Sequence, residues 1–197
     1  MKRYLALGDS YTIGEGVEFD NNFPNQLVRA LNNEGVNIGL EKLVATTGWT
    51  TQELLTAIEA DSFNAPYDFV TLLIGVNNQY RQKNTDGYAE SFEACLKKAL
   101  SFVANDIAKV LVVSIPDYGV TPFGKYDEIT SLQVDDYNRI NRGITAKYNI
   151  AYADINPVSK CAKDDTSLLV DDQLHPSAKQ YADWVAIILP TALELLN

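Results

Sequence analysis

The strongest constraint on this chain is an alternation. Short apolar runs of strand length are separated by longer stretches in which apolar residues return at helical spacing. That rhythm specifies a parallel sheet with helices on both faces, because parallel strands need crossover connections and the crossovers bury both sides. Five strands are expected, at residues 3–7, 40–45, 68–74, 110–115 and 151–155. The middle ones are nearly continuous in Val, Ile and Leu and should be fully buried.

The intervening helices carry start and stop signals. Asn22, Phe23 and Pro24 open one whose Phe23, Leu27, Ala30 and Leu31 share a face, and Gly35 ends it. Thr50 and Glu53 form a capping box ahead of Leu54, Leu55 and Ile58. Phe92, Leu96, Ala99, Leu100 and Val103 make the stripe of a third helix, and Tyr137, Ile140, Ile144 and Tyr148 that of a fourth. The last helix follows Pro176 and packs through Ala178, Tyr181, Val185 and Ile188, and Pro190 is expected to kink or end it. Two connections, 79–87 and 117–129, are longer than usual for such units and follow the carboxyl ends of strands, where open α/β sheets bind ligands. Tyr118, Phe123 and Tyr126 in the second are candidates to wall a substrate pocket.

With 197 residues, 46% of them hydrophobic, the chain suits one domain spanning 1–197. Sixteen Lys and Arg against 26 Asp and Glu give a formal charge of −10, which repels phosphate backbones and anionic lipid, so no nucleic acid and no stable membrane association are expected. Met1, Lys2 and Arg3 imitate a signal-peptide start, but the apolar stretch that follows is too short before Gly8, so a cytoplasmic chain is expected. Cys95 and Cys161, far apart in sequence, read as two reduced thiols, with Cys95 packed in the core.

Chemistry is constrained by a single histidine, His175, just before the final helix. Asp172 stands three residues upstream, close enough to fold back across a turn and accept from one ring nitrogen while the other acts as a base. Ser10 ends the first strand after Gly8 and Asp9, a place where a nucleophile is held rigidly and faces the ligand edge. Gly48 follows the second strand as a candidate backbone donor, and Asn77 follows the third as a neutral side-chain donor that no deprotonation removes. Singly, each of these motifs is compatible with an ordinary turn or cap, and a lone histidine beside an aspartate is more often a surface or core residue than a base.

Together, in this order and at these strand ends, the four elements resemble the SGNH hydrolase family, often called GDSL esterases and lipases. The resemblance spans nearly the whole chain. It implies a flavodoxin-like α/β/α sandwich with strand order 2-1-3-4-5, Ser10 as nucleophile, His175 as base, Asp172 orienting the ring, and Ser10, Gly48 and Asn77 around an oxyanion. It implies no cofactor. One departure stands out: where the family has Gly-x-Asn-Asp, this chain has Asn78 in place of the acid. Asp9, Asn78, Tyr118 and Phe123 are the expected pocket residues.

Two other patterns lead nowhere. Residues 119–125 imitate a phosphate-binding loop, but Tyr126 stands where Ser or Thr would hold magnesium, Pro122 removes an N–H, and no helix signal follows directly. One His, two distant Cys and scattered acids provide no zinc spacing. The expected activity is hydrolysis of a small-molecule carboxylic ester through an acyl-enzyme. Short acyl groups are favoured because the loops 14–22 and 79–87 are polar. A thioesterase or lysophospholipase of the same family, or a noncatalytic carbohydrate or lipid binding module, is the alternative.

Overall fold

The computed structural model describes residues 1–82 and 84–196. Its sheet has five strands: β1 (Lys2–Asp9), β2 (Ile38–Thr46), β3 (Phe69–Leu73), β4 (Val110–Val113) and β5 (Ala151–Ala153). All neighbours are parallel and the order is β2-β1-β3-β4-β5. The chain reverses direction of travel across the sheet at β1 and β3, and the crevice at such a switch point opens at the carboxyl ends of the strands. Every residue of β3 and β4 is buried, as their almost wholly apolar sequences require.

Eight α-helices complete the described fold: α1 (Ser10–Ile13), α2 (Phe23–Asn33), α3 (Thr51–Ala60), α4 (Val76–Gln82), α5 (Tyr88–Ser101), α6 (Glu128–Lys147), α7 (Asn156–Ser159) and α8 (Ala178–Leu196). α2 packs on α8, while α3, α5 and α6 pack in succession, so two helical layers sandwich the sheet. The Asn22 side chain caps α2 by accepting from the Asn25 N–H at 3.0 Å. At α3, Glu53 accepts from the Thr50 N–H at 2.8 Å and Thr50 accepts from that of Glu53, so the capping box forms as written in the sequence.

Two expectations are corrected. Pro190 does not end α8, which runs on to Leu196. Ala186, whose carbonyl Pro190 cannot satisfy, is exposed, so water can satisfy it while Ile188, Ala192 and Leu196 keep the inner face packed. The segment 79–87 is not loop throughout, because α4 extends to Gln82. The remainder of that connection includes Lys83, which lies outside the described residues. Polar side chains, not an apolar stripe, fix α4: Asn78 and Gln79 are both buried and hydrogen-bonded. Cys95 is buried and Cys161 exposed, both unpaired.

Candidate active site

The ends of β1, β2 and β3 and the turn before α8 bring the candidate residues to one edge of the sheet. β1 passes directly into α1, with Asp9 as its N-cap and Ser10 as its first residue. Gly8 is required by packing. A Cβ there would lie 2.0 Å from Thr12 Oγ1 and 2.5 Å from the Leu73 carbonyl oxygen, so only glycine lets α1 close against β3.

His175 sits in a turn built by Asp172. One Asp172 oxygen, Oδ1, accepts from the N–H groups of Leu174 (2.8 Å) and His175 (2.9 Å), and the other, Oδ2, lies 2.6 Å from His175 Nδ1. Burial pushes this carboxyl toward protonation, but the bonds from His175 and Leu174 outweigh it and hold it below the usual carboxylate range. The ring's far nitrogen, Nε2, is 2.9 Å from Ser10 Oγ. Ser10 and His175 are both buried, and the Tyr11 ring packs 5.0 Å from the imidazole. Ser10, His175 and Asp172 are thus brought together in one relay.

Gly48 has φ +83°, a left-handed conformation that L side chains rarely adopt, while the space beside it is open except for Arg81 Nη2 at 3.6 Å. Conformation, not room, selects glycine here. Asn77 opens toward the same cavity, and its Nδ2 donates to the Trp49 carbonyl at 3.0 Å. The amide nitrogen carries a second hydrogen, and the same amide also lies beside the Asp9 carboxyl.

The cavity over Ser10 encloses about 130 Å³. Ser10, Gly48, Asn77 and His175 line its floor, and Tyr80, Tyr118 and Phe123 form an aromatic wall. Tyr80 pairs with Tyr118 and Phe123 at ring-centroid distances of 5.9 and 6.2 Å. Burial pushes the Tyr118 hydroxyl up to about 12, and it donates to Gln79 Oε1 at 2.7 Å. Tyr80 was missed from sequence because it lies in a segment rich in Asn and Gln, and only the helical spacing of α4 turns it beside Asn77.

Several expected pocket residues lie elsewhere. Asp9 is fully buried behind Ser10, accepting from the Tyr11 N–H at 3.0 Å, and does not border the cavity. Burial raises its carboxyl to about 7, against the opposing pull of the Tyr11 N–H and the neighbouring Asn77 amide. Asn78 points away from the cavity into α3. Its Oδ1 accepts from the Thr51 N–H at 3.0 Å, and its Nδ2 donates to Thr51 Oγ1 at 2.8 Å. The Thr51 hydroxyl then donates to Ser91 Oγ at 2.8 Å, and Ser91 donates to the Tyr88 carbonyl. An amide starts that one-way chain and an aspartate has no proton to start it, which accounts for Asn78 in place of the family's acid. Tyr126 is half exposed and also off the cavity.

The stretch 119–125 folds back on itself. Gly119 N–H donates to Asp117 Oδ1 (2.8 Å), Gly124 N–H to Thr121 Oγ1 (3.1 Å) and Lys125 N–H to the Pro122 carbonyl (3.1 Å), leaving those donors engaged within the loop. Among the described residues no group of His, Cys, Asp and Glu is arranged to hold a metal, and no helix is long and apolar enough to cross a membrane.

A parallel sheet in this order, with Ser, His and Asp in relay at its carboxyl edge, defines an α/β fold of the hydrolase type. Residues 6–182 match the GDSL-like lipase/acylhydrolase family, and the chain belongs to it. A search of curated protein sequences finds no match. Among solved structures, a lipase/acylhydrolase from Enterococcus faecalis superposes with TM-score 0.78 at 19% identity, covering 100% of this chain and 98% of that one. The psychrotrophic esterase EstA from Pseudoalteromonas sp. gives 0.75 at 18% identity, covering 100% of both chains. A variant of an acetyl xylan esterase from Geobacillus stearothermophilus gives 0.70 at 19% identity, covering 97% and 94%.

Proposed function

We propose that this protein hydrolyses small carboxylic esters through an acyl-enzyme on Ser10. The observation that carries the reading is the relay from Asp172 Oδ2 to His175 Nδ1 (2.6 Å) and from His175 Nε2 to Ser10 Oγ (2.9 Å), opening on a cavity. Ser10 Oγ attacks the ester carbonyl carbon as His175 Nε2 takes its proton, and Asp172 stabilises the imidazolium that forms. The tetrahedral oxyanion is met by the N–H groups of Ser10 and Gly48 and by the Asn77 amide. Collapse expels the alcohol, which takes the proton from His175, and water activated by the same nitrogen then releases the acid and restores Ser10. No step calls for a cofactor.

The cavity supports a short acyl group. Its volume of about 130 Å³ is close to the roughly 150 Å³ of an apolar site that admits benzene, about six heavy atoms. The polar loops that motivated this preference from sequence do not carry it, since the 14–22 loop does not border the cavity and 79–82 is helix. The acetyl xylan esterase neighbour is consistent with a short acyl group on a polar alcohol. The aromatic wall favours one second reading, a thioesterase or lysophospholipase that runs a longer chain out past Tyr80 and Phe123, both about half exposed.

A fluorophosphonate probe and a p-nitrophenyl ester series from acetate to octanoate, with acyl-CoA and lysophospholipid alongside, test the proposal. Stoichiometric labelling that disappears in Ser10→Ala, with kcat/KM highest between acetate and butyrate, is the expected result. A steady climb toward octanoate would transfer the assignment to the long-chain reading, and an unlabelled wild type would leave a binding module.

A further inference from the structure

We propose that Arg81 is a positioning residue that holds the Gly48 peptide in place for oxyanion binding. The inference rests on the esterase reading above and extends it to a side chain outside the family's motifs. α4 presents three residues to the segment that follows β2. Asn77 donates to the Trp49 carbonyl (3.0 Å), Asn78 bonds the Thr51 backbone N–H (3.0 Å), and Arg81, one turn beyond Asn77, donates from Nη2 to the Gly48 carbonyl. Two successive carbonyls, those of Gly48 and Trp49, are therefore tied to consecutive turns of one helix. That helix also carries the other oxyanion donor.

The need for such a tether follows from Gly48 itself. Its left-handed φ of +83° demands glycine, and glycine brings the widest conformational freedom of any residue. N–H and carbonyl of a residue are joined through one Cα, so anchoring the carbonyl fixes ψ, one of the two torsions by which Gly48 would leave its conformation. Upstream, the Thr47 hydroxyl donates to Glu15, which steadies the preceding residue. Arg81 is itself held: Nη1 pairs with Glu53 Oε1 at 3.0 Å, while Glu53 Oε2 accepts from the Thr50 N–H at 2.8 Å. The guanidinium fork spans both acceptors, a geometry that an ammonium cannot reproduce. Arg81 is absent from the cavity lining, so its route to the oxyanion runs through Gly48.

The test compares Arg81→Met, Arg81→Lys and Glu53→Gln with wild type on one p-nitrophenyl ester, alongside inhibition by a small alkylboronic acid, whose serine adduct carries a tetrahedral oxyanion-like hydroxyl. Arg81→Met should lower kcat about ten- to a hundredfold, the scale of a small misplacement of a reacting group, with KM within about twofold. The boronate inhibition constant should rise in step with the fall in kcat. Arg81→Lys should recover part of the loss through a single contact, and Glu53→Gln should lose less than Arg81→Met. A wild-type kcat in folded Arg81→Met, or a rise in KM at constant kcat, would overturn the proposal. So would a boronate constant that stays fixed while kcat falls. Should Arg81→Met fail to fold, Arg81→Lys and Glu53→Gln decide by the same split. Fluorophosphonate labelling of wild-type Ser10 separates the two failures: an unlabelled wild type removes the esterase reading, whereas a labelled wild type with an indifferent Arg81 removes this inference alone.

Discussion

Asp9 gives the sharpest test of the electrostatics behind Ser10. It is fully buried with one oxygen, Oδ2, unpartnered, and burial lifts it from its usual 3.8 to about 7. Above about pH 4 the unfolded chain releases this proton, whereas the folded protein keeps it until about pH 7. The native state then binds more protons, so stability falls as pH rises through that window and the loss is complete just above pH 7. At 1.36 kcal/mol per pH unit, the interval corresponds to about 4 kcal/mol as an upper estimate. Asp9→Asn keeps an oxygen to accept from the Tyr11 N–H and has no charge to bury. Its stability relative to wild type should therefore grow by about 4 kcal/mol between pH 4 and pH 8, or about 10 °C in Tm for a chain of this size. Differencing the two proteins cancels every other group that titrates alike in both, including Asp117, whose carboxyl burial also raises. Thermal melts followed by circular dichroism at half-unit pH steps provide the measurement. A difference that stays flat across the range would refute the argument and mean that Asp9 is solvated in the folded state.

Further expectations concern the cavity and its supports. Asn77→Ala should lower kcat about 10²–10³-fold with little change in KM, and a variant that melts earlier but keeps near-normal kcat would mark Asn77 as structural. Asn78→Asp should destabilise by about 1–3 kcal/mol at neutral pH and less in acid, since it buries a carboxylate and removes the donor that starts the chain to Tyr88. Equal melting temperatures at all pH values would show that the Thr51 hydroxyl simply turns round. Phe123→Ala should weaken butyrate turnover more than acetate turnover, at about 0.8 kcal/mol for each methylene that loses its cover, read as the ratio of kcat/KM values.

The sheet was legible because burial on both faces leaves its central strands almost no polar positions: β4 is a continuous apolar run and β3 is broken only by Thr71, whose hydroxyl pairs with that of Tyr4. The relay was legible because a lone histidine and a short reach to Asp172 leave few alternatives. α4 was not, because its sequence Val-Asn-Asn-Gln-Tyr-Arg-Gln has no apolar period, and its inward face is satisfied by hydrogen bonds that single-residue hydropathy cannot register. Asn78 bonds Thr51, and Gln79 joins Tyr118 to Gln133. Missing the helix meant missing Tyr80 and Arg81 together. Pro190 misled for the opposite reason: its local rule is sound, but the residue that loses its partner, Ala186, is exposed, and the helix runs on to Leu196.

The site therefore divides by the kind of support each residue receives. Ser10 is fixed by a strand end packed so closely that Gly8 admits no side chain, and His175 by a turn closed on Asp172 and joined to the pocket wall where the Phe123 N–H donates to the Gln173 carbonyl at 3.2 Å. Each of these residues also stands in a local motif, Gly8-Asp9-Ser10 and Asp172 to His175, although the contacts with Leu73 and Phe123 reach far along the chain. The proposed oxyanion side has no such motif beyond Gly48 and Asn77 themselves. Its rigidity comes from side chains of α4 that reach residues 27 to 33 positions away, so their meaning depends on β2 and β3 being placed on either side of β1. Local chemistry identifies which groups can react, and the sheet order determines whether they are held still enough to do so.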